Sequence, residues 1–335
     1  MNFTPYFSIS DIHKESLSSL CFSHPKNEND PILLATSSND KHISLFNIKS
    51  GEAEKKWTYQ YHLYGVNKIK FNADNSILAS GGNDLSVNLV DLNKMCLLRN
   101  FRNESIVTCI DINSTSNLLI VGTYDNSIIL YDIRSRNLIV KILSHSEPIT
   151  SVTFSEDSTV IFSSSYDSFC RIWDVFKFNC LKTIVLENSP SLNSCSILPN
   201  ENYVMLSSFN NQIDIIDIVT EEEVKKFGGY KHTNYLIDCG IYKNIKGKYC
   251  VLSGDEEGNL CSWDTKGDGN PIKYKVNPEN ENNMVVNTLD KVNDIVAVAG
   301  FNDKTNSVYL FKEIEIEKTK GEVDEDKMDI CKENK

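Results

Sequence analysis

The chain has 335 residues, of which 40% are hydrophobic, and it carries a formal net charge of −12 with a pI near 5.0. This length suits one large domain or two ordinary ones, and the apolar content suffices for a sizeable core. The acidic balance argues against direct, non-specific binding to nucleic acid, which needs a basic face towards the phosphates.

The first predicted element is an extended strand at residues 2–10, NFTPYFSIS. After it, a short β-rich run that ends in a hydrophobic residue followed by Asp recurs along the chain. The Asp, or the residue in its place, stands at Asn47, Asp91, Asp132, Asp174, Asp217, Asp264 and Lys312, with gaps of 44, 41, 42, 43, 47 and 48 residues. Two of the seven runs contain a literal Trp-Asp pair. A period of about 40–45 residues with this pair is typical of β-propeller blades.

Each repeat contains the same four predicted strands. In the fourth repeat these strands are residues 148–154, 159–166, 169–175 and 179–186, separated by short polar turns. The first strand recurs at 66–71, 106–112 and 235–242, and the second at 32–38, 118–124 and 295–301. No stretch indicates a long helix. The sequence therefore predicts an all-β, seven-bladed β-propeller of four-stranded antiparallel blades.

The two ends of the chain predict how the ring closes. The seventh repeat stops after its third strand, near Lys312, and residues 2–10 can supply the missing outer strand and remove an exposed edge. We therefore assign residues 1–312 to the propeller. Residues 313–335 contain nine acids, five bases and no aromatic residue, which predicts a disordered acidic tail.

The fourth repeat also contains His145, Ser163, Ser165, Asp167 and Trp173, residue types that could form a hydrolase triad. The same types recur, however, with Asp at Asp40, Asp84, Asp125 and Asp303 and His at His13, His62 and His232. A catalytic triad occurs once, with its serine on a strained turn. We therefore predict a structural tetrad of His145, Ser163 or Ser165, Asp167 and Trp173, and no catalytic residues.

The ends of the predicted second strands should face the central channel. They are Asn39, Asn83, Tyr124, Tyr166, Asn210, Asp255 and Asn302. Hydrogen-bonding groups and tyrosines with one acid suit a peptide pocket better than acid–base chemistry. The alternative is that they only hydrate the channel.

Cysteine usage and the N-terminus bear on compartment and cofactors. The ten cysteines include no CxxC pair, so we expect no metal site and no cofactor. The N-terminus has no signal-peptide pattern, and no apolar run approaches the ~18 residues of a membrane span. We expect a reducing compartment, cytoplasm or nucleus, with free thiols.

The segment at 144–183, SHSEPITSVTF…SSSYDSFCRIWD…CLKT, resembles the fourth-blade region of the WD-repeat subunit of COMPASS- and MLL-type histone lysine methyltransferase complexes. Weaker echoes lie at 231–235 and 247–264. The resemblance implies a non-catalytic scaffold in the nucleus, monomeric within a hetero-complex. Its partners would be the SET-domain subunit and other propeller subunits, with no direct nucleic-acid contact and no membrane contact.

That family clamps an arginine side chain between aromatic rings in its central channel. Tyr166 matches a clamp tyrosine, but Thr108, Leu236 and Cys239 stand where aromatic residues are expected, and Asn83 replaces an aspartate. The resemblance therefore implies that the channel binds arginine weakly or not at all. The predicted channel residues are Asn39, Asn83, Thr108, Tyr124, Tyr166, Leu236 and Cys239.

A second family site is a cleft between the fifth and sixth blades that holds a hydrophobic segment of a neighbouring subunit. The resemblance places Asn200, Tyr203, Ile215 and Tyr242 there. An equally weighted alternative makes Asn200 only a turn residue and Tyr203 only a strand residue.

The alternative function for the whole chain is a WD-repeat adaptor in another complex, either a ubiquitin ligase substrate receptor or an RNA-processing assembly.

Overall fold

The structure, a computed structural model, describes residues 2–27, 30–49, 51–199, 201–267, 269–277, 284–301 and 306–314. Within these ranges the chain forms twenty-eight strands in seven four-stranded sheets. The same ranges contain no helix that is long and apolar enough to cross a membrane. The predicted tail lies almost wholly outside the described residues, and its disorder stays a prediction.

Strand β1 (Asn2–Ile9) is followed by six consecutive four-stranded blades and a final group of three strands. Blade 1 consists of β2 (Leu17–Phe22), β3 (Ile32–Ser38), β4 (Ile43–Lys49) and β5 (Glu52–Tyr59). Blade 2 consists of β6 (Val66–Phe71), β7 (Ile77–Gly82), β8 (Ser86–Asp91) and β9 (Cys96–Arg102). Blade 3 consists of β10 (Val107–Ile112), β11 (Leu118–Thr123), β12 (Ser127–Asp132) and β13 (Leu138–Leu143). Blade 4 consists of β14 (Ile149–Phe154), β15 (Val160–Ser165), β16 (Phe169–Asp174) and β17 (Cys180–Val185), and blade 5 of β18 (Leu192–Ile197), β19 (Tyr203–Ser208), β20 (Gln212–Asp217) and β21 (Glu223–Phe227). Blade 6 consists of β22 (Cys239–Lys243), β23 (Tyr249–Gly254), β24 (Asn259–Asp264) and β25 (Ile272–Lys275). The final group in blade 7 is β26 (Val285–Val292), β27 (Ile295–Phe301) and β28 (Asn306–Ile314).

In six sheets the strands pair in chain order, and in the seventh β1 pairs with β28 after β26 and β27. The first strand of every blade contacts the first strand of the next blade around a ring. Side chains alternate across each strand, so one side packs on the preceding blade and the other on the following blade. The result is seven buried apolar clusters between neighbouring blades. The predicted all-β, seven-bladed propeller is confirmed.

The ring closes through its two ends. Strand β1 pairs antiparallel with β28, from Asn2 opposite Ile314 to Ile9 opposite Val308. Phe3 of β1 is buried in the apolar cluster between blades 6 and 7. The N-terminal strand therefore completes blade 7, as predicted.

One predicted strand begins later than expected. The sequence predicts a strand at 235–242, but β22 starts at Cys239. The backbone before it bonds to neighbouring blades: Ile237 N donates to Asn193 Oδ1 at 3.2 Å, and Asp238 N donates to the Asn287 carbonyl at 2.8 Å. Cross-blade bonding replaces ladder pairing in this stretch.

Candidate functional site

The channel opens at one end into a cavity of about 540 Å³. Exposed side chains of Tyr124, Tyr166, Tyr235 and Leu236 lie at its rim. Of the predicted channel residues, the cavity is lined by Asn39, Asn83, Thr108, Tyr124, Tyr166 and Leu236. We call this cavity the channel mouth.

Six of the inner strands carry an irregularity at the same place, and it shapes the mouth. In β10, for example, pairing with β11 shifts between Val107 and Cys109, so that Thr108 is left as an extra residue. A bulge re-aims the side chain of the extra residue. The extra residues are Ser18, Asn67, Thr108, Thr150, Asn193 and Asn287, and all six line the mouth. Bulges thus give the mouth its ring of small polar groups.

The floor of the mouth is crossed by an ion pair between distant blades. Lys68 Nζ of blade 2 lies 2.6 Å from Asp238 Oδ1 of blade 6. The other oxygen of Asp238 accepts a hydrogen bond from Thr288 Oγ1 at 2.7 Å. An arginine side chain entering the mouth would meet a carboxylate whose two oxygens are both engaged. The pair therefore supports the expectation of weak arginine binding.

A row of aromatic rings extends from the mouth towards blade 6. Tyr166 stacks on Phe209 at 5.6 Å between ring centroids, and Phe209 lies 5.0 Å from the ring of His232. Burial, and next the nearby Tyr124 phenol, raise the pKa of Tyr166. The sequence analysis named Asn210 as the end of this strand, but the bond from Phe209 N to the Ser191 carbonyl matches the bond from Tyr166 N to the Pro148 carbonyl. Phe209, one residue earlier, is therefore the equivalent of Tyr166.

Cys239 differs from the other predicted channel residues. It lies deeper, in a second cavity of about 320 Å³ that shares Lys68 and Asp238 with the mouth. Burial raises the pKa of its thiol to about 11, and its Sγ lies 3.1 Å from Ser194 Oγ. The described lining of the mouth contains no histidine beside a hydroxyl or thiol.

The structure brings the four tetrad residues together, with Ser163 rather than Ser165 as the hydroxyl. His145 Nδ1 lies 2.9 Å from Asp167 Oδ2, and Nε2 lies 2.8 Å from Ser163 Oγ. Trp173 Nε1 donates to the same Ser163 oxygen at 2.9 Å. The side chains of His145 and Asp167 are 0% and 3% exposed. A substrate therefore has no access to this constellation.

Two other blades repeat the His–carboxylate contact. His62 lies 2.9 Å from Asp84, and His13 lies 3.2 Å from Asp40. Burial acts to raise the pKa of Asp84, but the hydrogen bond and charge of His62 outweigh it and hold the pKa at about 2. His232 departs from the pattern, because its Nε2 bonds the Tyr235 carbonyl at 3.0 Å. Asp303 lies outside the described residues.

The residues of the predicted cleft do not meet in one place. Tyr203 and Ile215 pack in the cluster between blades 5 and 6, whereas Tyr242 packs in the cluster between blades 6 and 7. Neighbouring residues of a strand point to opposite sides, so Ile241 of β22 faces blade 5 and Tyr242 faces blade 7. Asn200 lies outside the described residues, and Ile215 is buried.

Residues 21–218, which run from blade 1 to blade 5, match the family model described as "Nucleolar protein 10-like, N-terminal domain", a β-propeller. The chain belongs to this family. Nucleolar protein 10-like propellers are WD-repeat β-propellers, and propellers of this type generally act as non-catalytic scaffolds for protein interactions.

Individual relatives of this nucleolar protein 10-like propeller come from several kinds of assembly. "U3 small nucleolar RNA-associated protein 21" of Saccharomyces cerevisiae is 30% identical over 146 residues, 44% of this chain and 15% of that protein. Human "Pre-mRNA-processing factor 17" is 26% identical over 240 residues, 70% and 41% of the two chains. "COMPASS component SWD3" of Saccharomyces cerevisiae is 26% identical over 224 residues, 61% and 70%. The chain thus spans less than half of the first two relatives, and the COMPASS resemblance is one of several.

Proposed function

We propose that this chain is a non-catalytic scaffold subunit of a nuclear multi-subunit complex and that it holds a short segment of a partner in the channel mouth. The observation that carries the proposal is the mouth itself, a cavity of about 540 Å³ under three exposed tyrosines. Its bulge residues offer amides and hydroxyls, and its one acid is already paired with Lys68. An uncharged segment with an aromatic or aliphatic side chain fits this lining best.

For the identity of the complex, the first candidate is a COMPASS-like histone H3 lysine methyltransferase assembly with SET-domain and other propeller subunits. It is supported by the fourth-repeat resemblance and by the COMPASS relative, of which this chain covers 70%. The second candidate is an RNA-processing assembly. The nucleolar protein 10-like family match and the pre-mRNA-processing relative support it.

Affinity purification of the tagged chain followed by mass spectrometry separates these candidates. Recovery of a SET-domain subunit at near-stoichiometric amount supports the methyltransferase assembly, and recovery of splicing or ribosome-assembly factors supports the second. Recovery of cullin subunits would instead favour a ubiquitin ligase receptor.

The same purification tests the mouth. Tyr124→Ala and Tyr166→Ala should each weaken partner binding by about 1–2 kcal/mol, or roughly 5- to 30-fold, because interface energy concentrates in a few large anchors. Tyr249→Ala is the matched control, since Tyr249 is also exposed but does not line the mouth. Loss of partners in Tyr203→Ala, with the mouth variants unaffected, would transfer the role to the blade 5–6 cleft.

A further inference from the structure

The arginines of this acidic chain are concentrated in one region. Of its five arginines, four fall between residues 99 and 136, on the outer strand of blade 2 and the last turn of blade 3. Among the described residues, no carboxylate oxygen lies within 4.0 Å of any of them. A cluster of arginines without a carboxylate in ion-pair contact needs an explanation on a protein of net charge −12.

Three of these arginines share the seam between blades 2 and 3. Arg99 Nη1 of β9 donates to the carbonyl of Arg134 at 2.7 Å, which ties blade 2 to the β12–β13 turn. The Nε of Arg99 is buried and has no hydrogen-bond partner. Burial, and next the charge of Arg136, lower the pKa of Arg99, while the charge of Asp132 acts to raise it, so Arg136 and Asp132 both lie within electrostatic reach of Arg99.

The seam between blades 4 and 5 has the same backbone construction and a different charge pattern. Lys182 occupies in β17 the register that Arg99 occupies in β9, and its Nζ donates to the carbonyl of Val219 at 3.0 Å. Two residues later, Glu221 places a carboxylate oxygen 3.0 Å from the same Nζ. Lys182 therefore has an ion-pair partner within this seam.

Arg136 occupies the place of Glu221. Each residue donates its N–H to the carbonyl of the aspartate that ends the third strand, Asp132 or Asp217, and each has a left-handed backbone, with φ of 66° and 62°. The blade 2–3 seam thus has Arg99, Arg134 and Arg136 where the blade 4–5 seam has Lys182, Val219 and Glu221. Each seam also contains its aspartate, so three positive charges beside Asp132 replace the Lys182–Glu221 ion pair beside Asp217.

Exposed aliphatic side chains lie on the same strands as these charges. Leu97 and Leu98 of β9 and Leu138 and Ile139 of β13 are 39%, 38%, 55% and 41% exposed. The aromatic residues of this region, Phe101 and Tyr131, are buried, so neither offers a ring for stacking on a base. We call residues 97–99 together with 134–139 the rim patch.

We propose that the rim patch docks an acidic segment of a partner protein, whose carboxylates take the place that Glu221 holds in the other seam and whose apolar side chains cover the exposed leucines. Guanidinium groups bind carboxylates in charge-assisted, often bidentate pairs. Arginines beside aliphatic side chains are typical of protein interfaces, whereas single-stranded nucleic acid is bound on exposed aromatic rings. The inference is independent of the channel mouth.

The test uses the full chain and a short fluorescent peptide of alternating glutamate and leucine. Anisotropy titration at low salt should show binding that weakens as salt increases, while an uncharged glutamine–leucine peptide should not bind. Arg136→Glu should lower the affinity at least about tenfold, since it supplies the missing carboxylate internally. The backbone should accept this change, because Glu221 adopts the same conformation. Glu221→Arg is the converse variant and should add a second acidic-peptide site.

Three results would overturn the proposal. Equal affinity of the wild type and Arg136→Glu for the peptide, with both melting at the same temperature, would remove the arginines from the site. Tighter binding of single-stranded oligouridylate than of the peptide would assign the patch to nucleic acid. A dimer in analytical ultracentrifugation that Arg136→Glu dissociates would assign it to a second copy of the chain.

Discussion

Blades 4 and 6 both contain the Trp-Asp pair, yet their tryptophans serve different hydrogen-bond networks. Trp173 donates to Ser163 within the network of His145 and Asp167. Trp263 donates instead to the carbonyl of Gly228 at 3.1 Å. Both rings are buried between blades, at 6% and 1% exposure. The Trp-Asp pair therefore indicates interblade packing, and it does not by itself indicate the polar network.

The strand registers show which position makes the difference. In blade 6 the places of Ser163 and Asp167 are taken by Ser253 and Glu257, and His232 is the histidine of the loop before the first strand. Glu257 has an exposed side chain, 3.8 Å from Lys273. The loop amides of Thr233 and Asn234 donate to Glu256 instead, at 2.8 and 2.6 Å. One carboxylate position thus decides whether the histidine is recruited.

The largest expected effect comes from removing either ring. Trp173→Ala and Trp263→Ala should each lower the free energy of unfolding by about 3–5 kcal/mol, because each leaves a large cavity in an interblade core. Denaturant unfolding of the two variants measures this. Near-equal decreases in unfolding free energy would support interblade packing as the role that both tryptophans share. A much larger decrease for Trp173→Ala would show that the hydrogen-bond network of Trp173 contributes more than packing does.

A smaller and more selective effect should come from the carboxylates. Asp167→Asn should destabilise the fold by about 2–3 kcal/mol, because the amide NH₂ faces donors from His145 and the Ser146 backbone. Glu257→Gln is the matched control and should change stability by less than about 0.5 kcal/mol, since its side chain is exposed. Equal changes in stability for the two variants would contradict the conclusion that Asp167 holds the histidine network and that Glu257 does not.

The pH dependence of Asp167 follows from the same contacts. Burial acts to raise its pKa, but the charge of His145 and the bonds from Ser146 and His145 lower it overall. A lowered folded-state pKa adds stability at pH values above the unfolded value near 3.8, and this stability is lost as the pH falls through the folded pKa. As the pH falls from 7, the free energy of unfolding should therefore decrease by more in the wild type than in Asp167→Asn, because only the wild type has this carboxylate to protonate. Denaturant unfolding of both proteins at a series of pH values measures the two decreases.

Blade 5, which lies between the two, contains the opposite case and the smallest effect. Oδ1 of Asp214 is buried without a hydrogen-bond partner, and burial, followed by the charge of Glu223, raises the pKa to about 6. A raised carboxyl pKa means that stability is greatest below the unfolded value and is lost as the pH rises through about 6. Asp214→Asn should gain about 1–2 kcal/mol at pH 8 and nothing near pH 3.5. A gain of equal size at both pH values would exclude titration as the cause.

The repeat period predicted the blades, their number and the closing strand, because each depends on local alternation and turn residues that are readable along the chain. The site depended on less local features. Thr108 looked like a lost clamp residue, but its bulge makes it part of a ring of six polar groups. Lys68 and Asp238 are 170 residues apart in the sequence, so no local sequence pattern predicts their ion pair. The prediction that Tyr242 lies in the cleft between blades 5 and 6 is wrong, because the resemblance on which it rested did not determine which side of β22 the side chain faces.

The pairing of β1 with β28 has a consequence for synthesis on the ribosome. β1 is translated before the other strands of the propeller, and its partner, which spans Asn306–Ile314, is translated almost 300 residues later. At ~5–20 residues per second, β1 waits about 15–60 s before its hydrogen-bonding edge and Phe3 can be covered. During that interval the nascent chain exposes a strand with apolar residues, and chaperone occupancy should be greatest then and end when residue 314 leaves the exit tunnel.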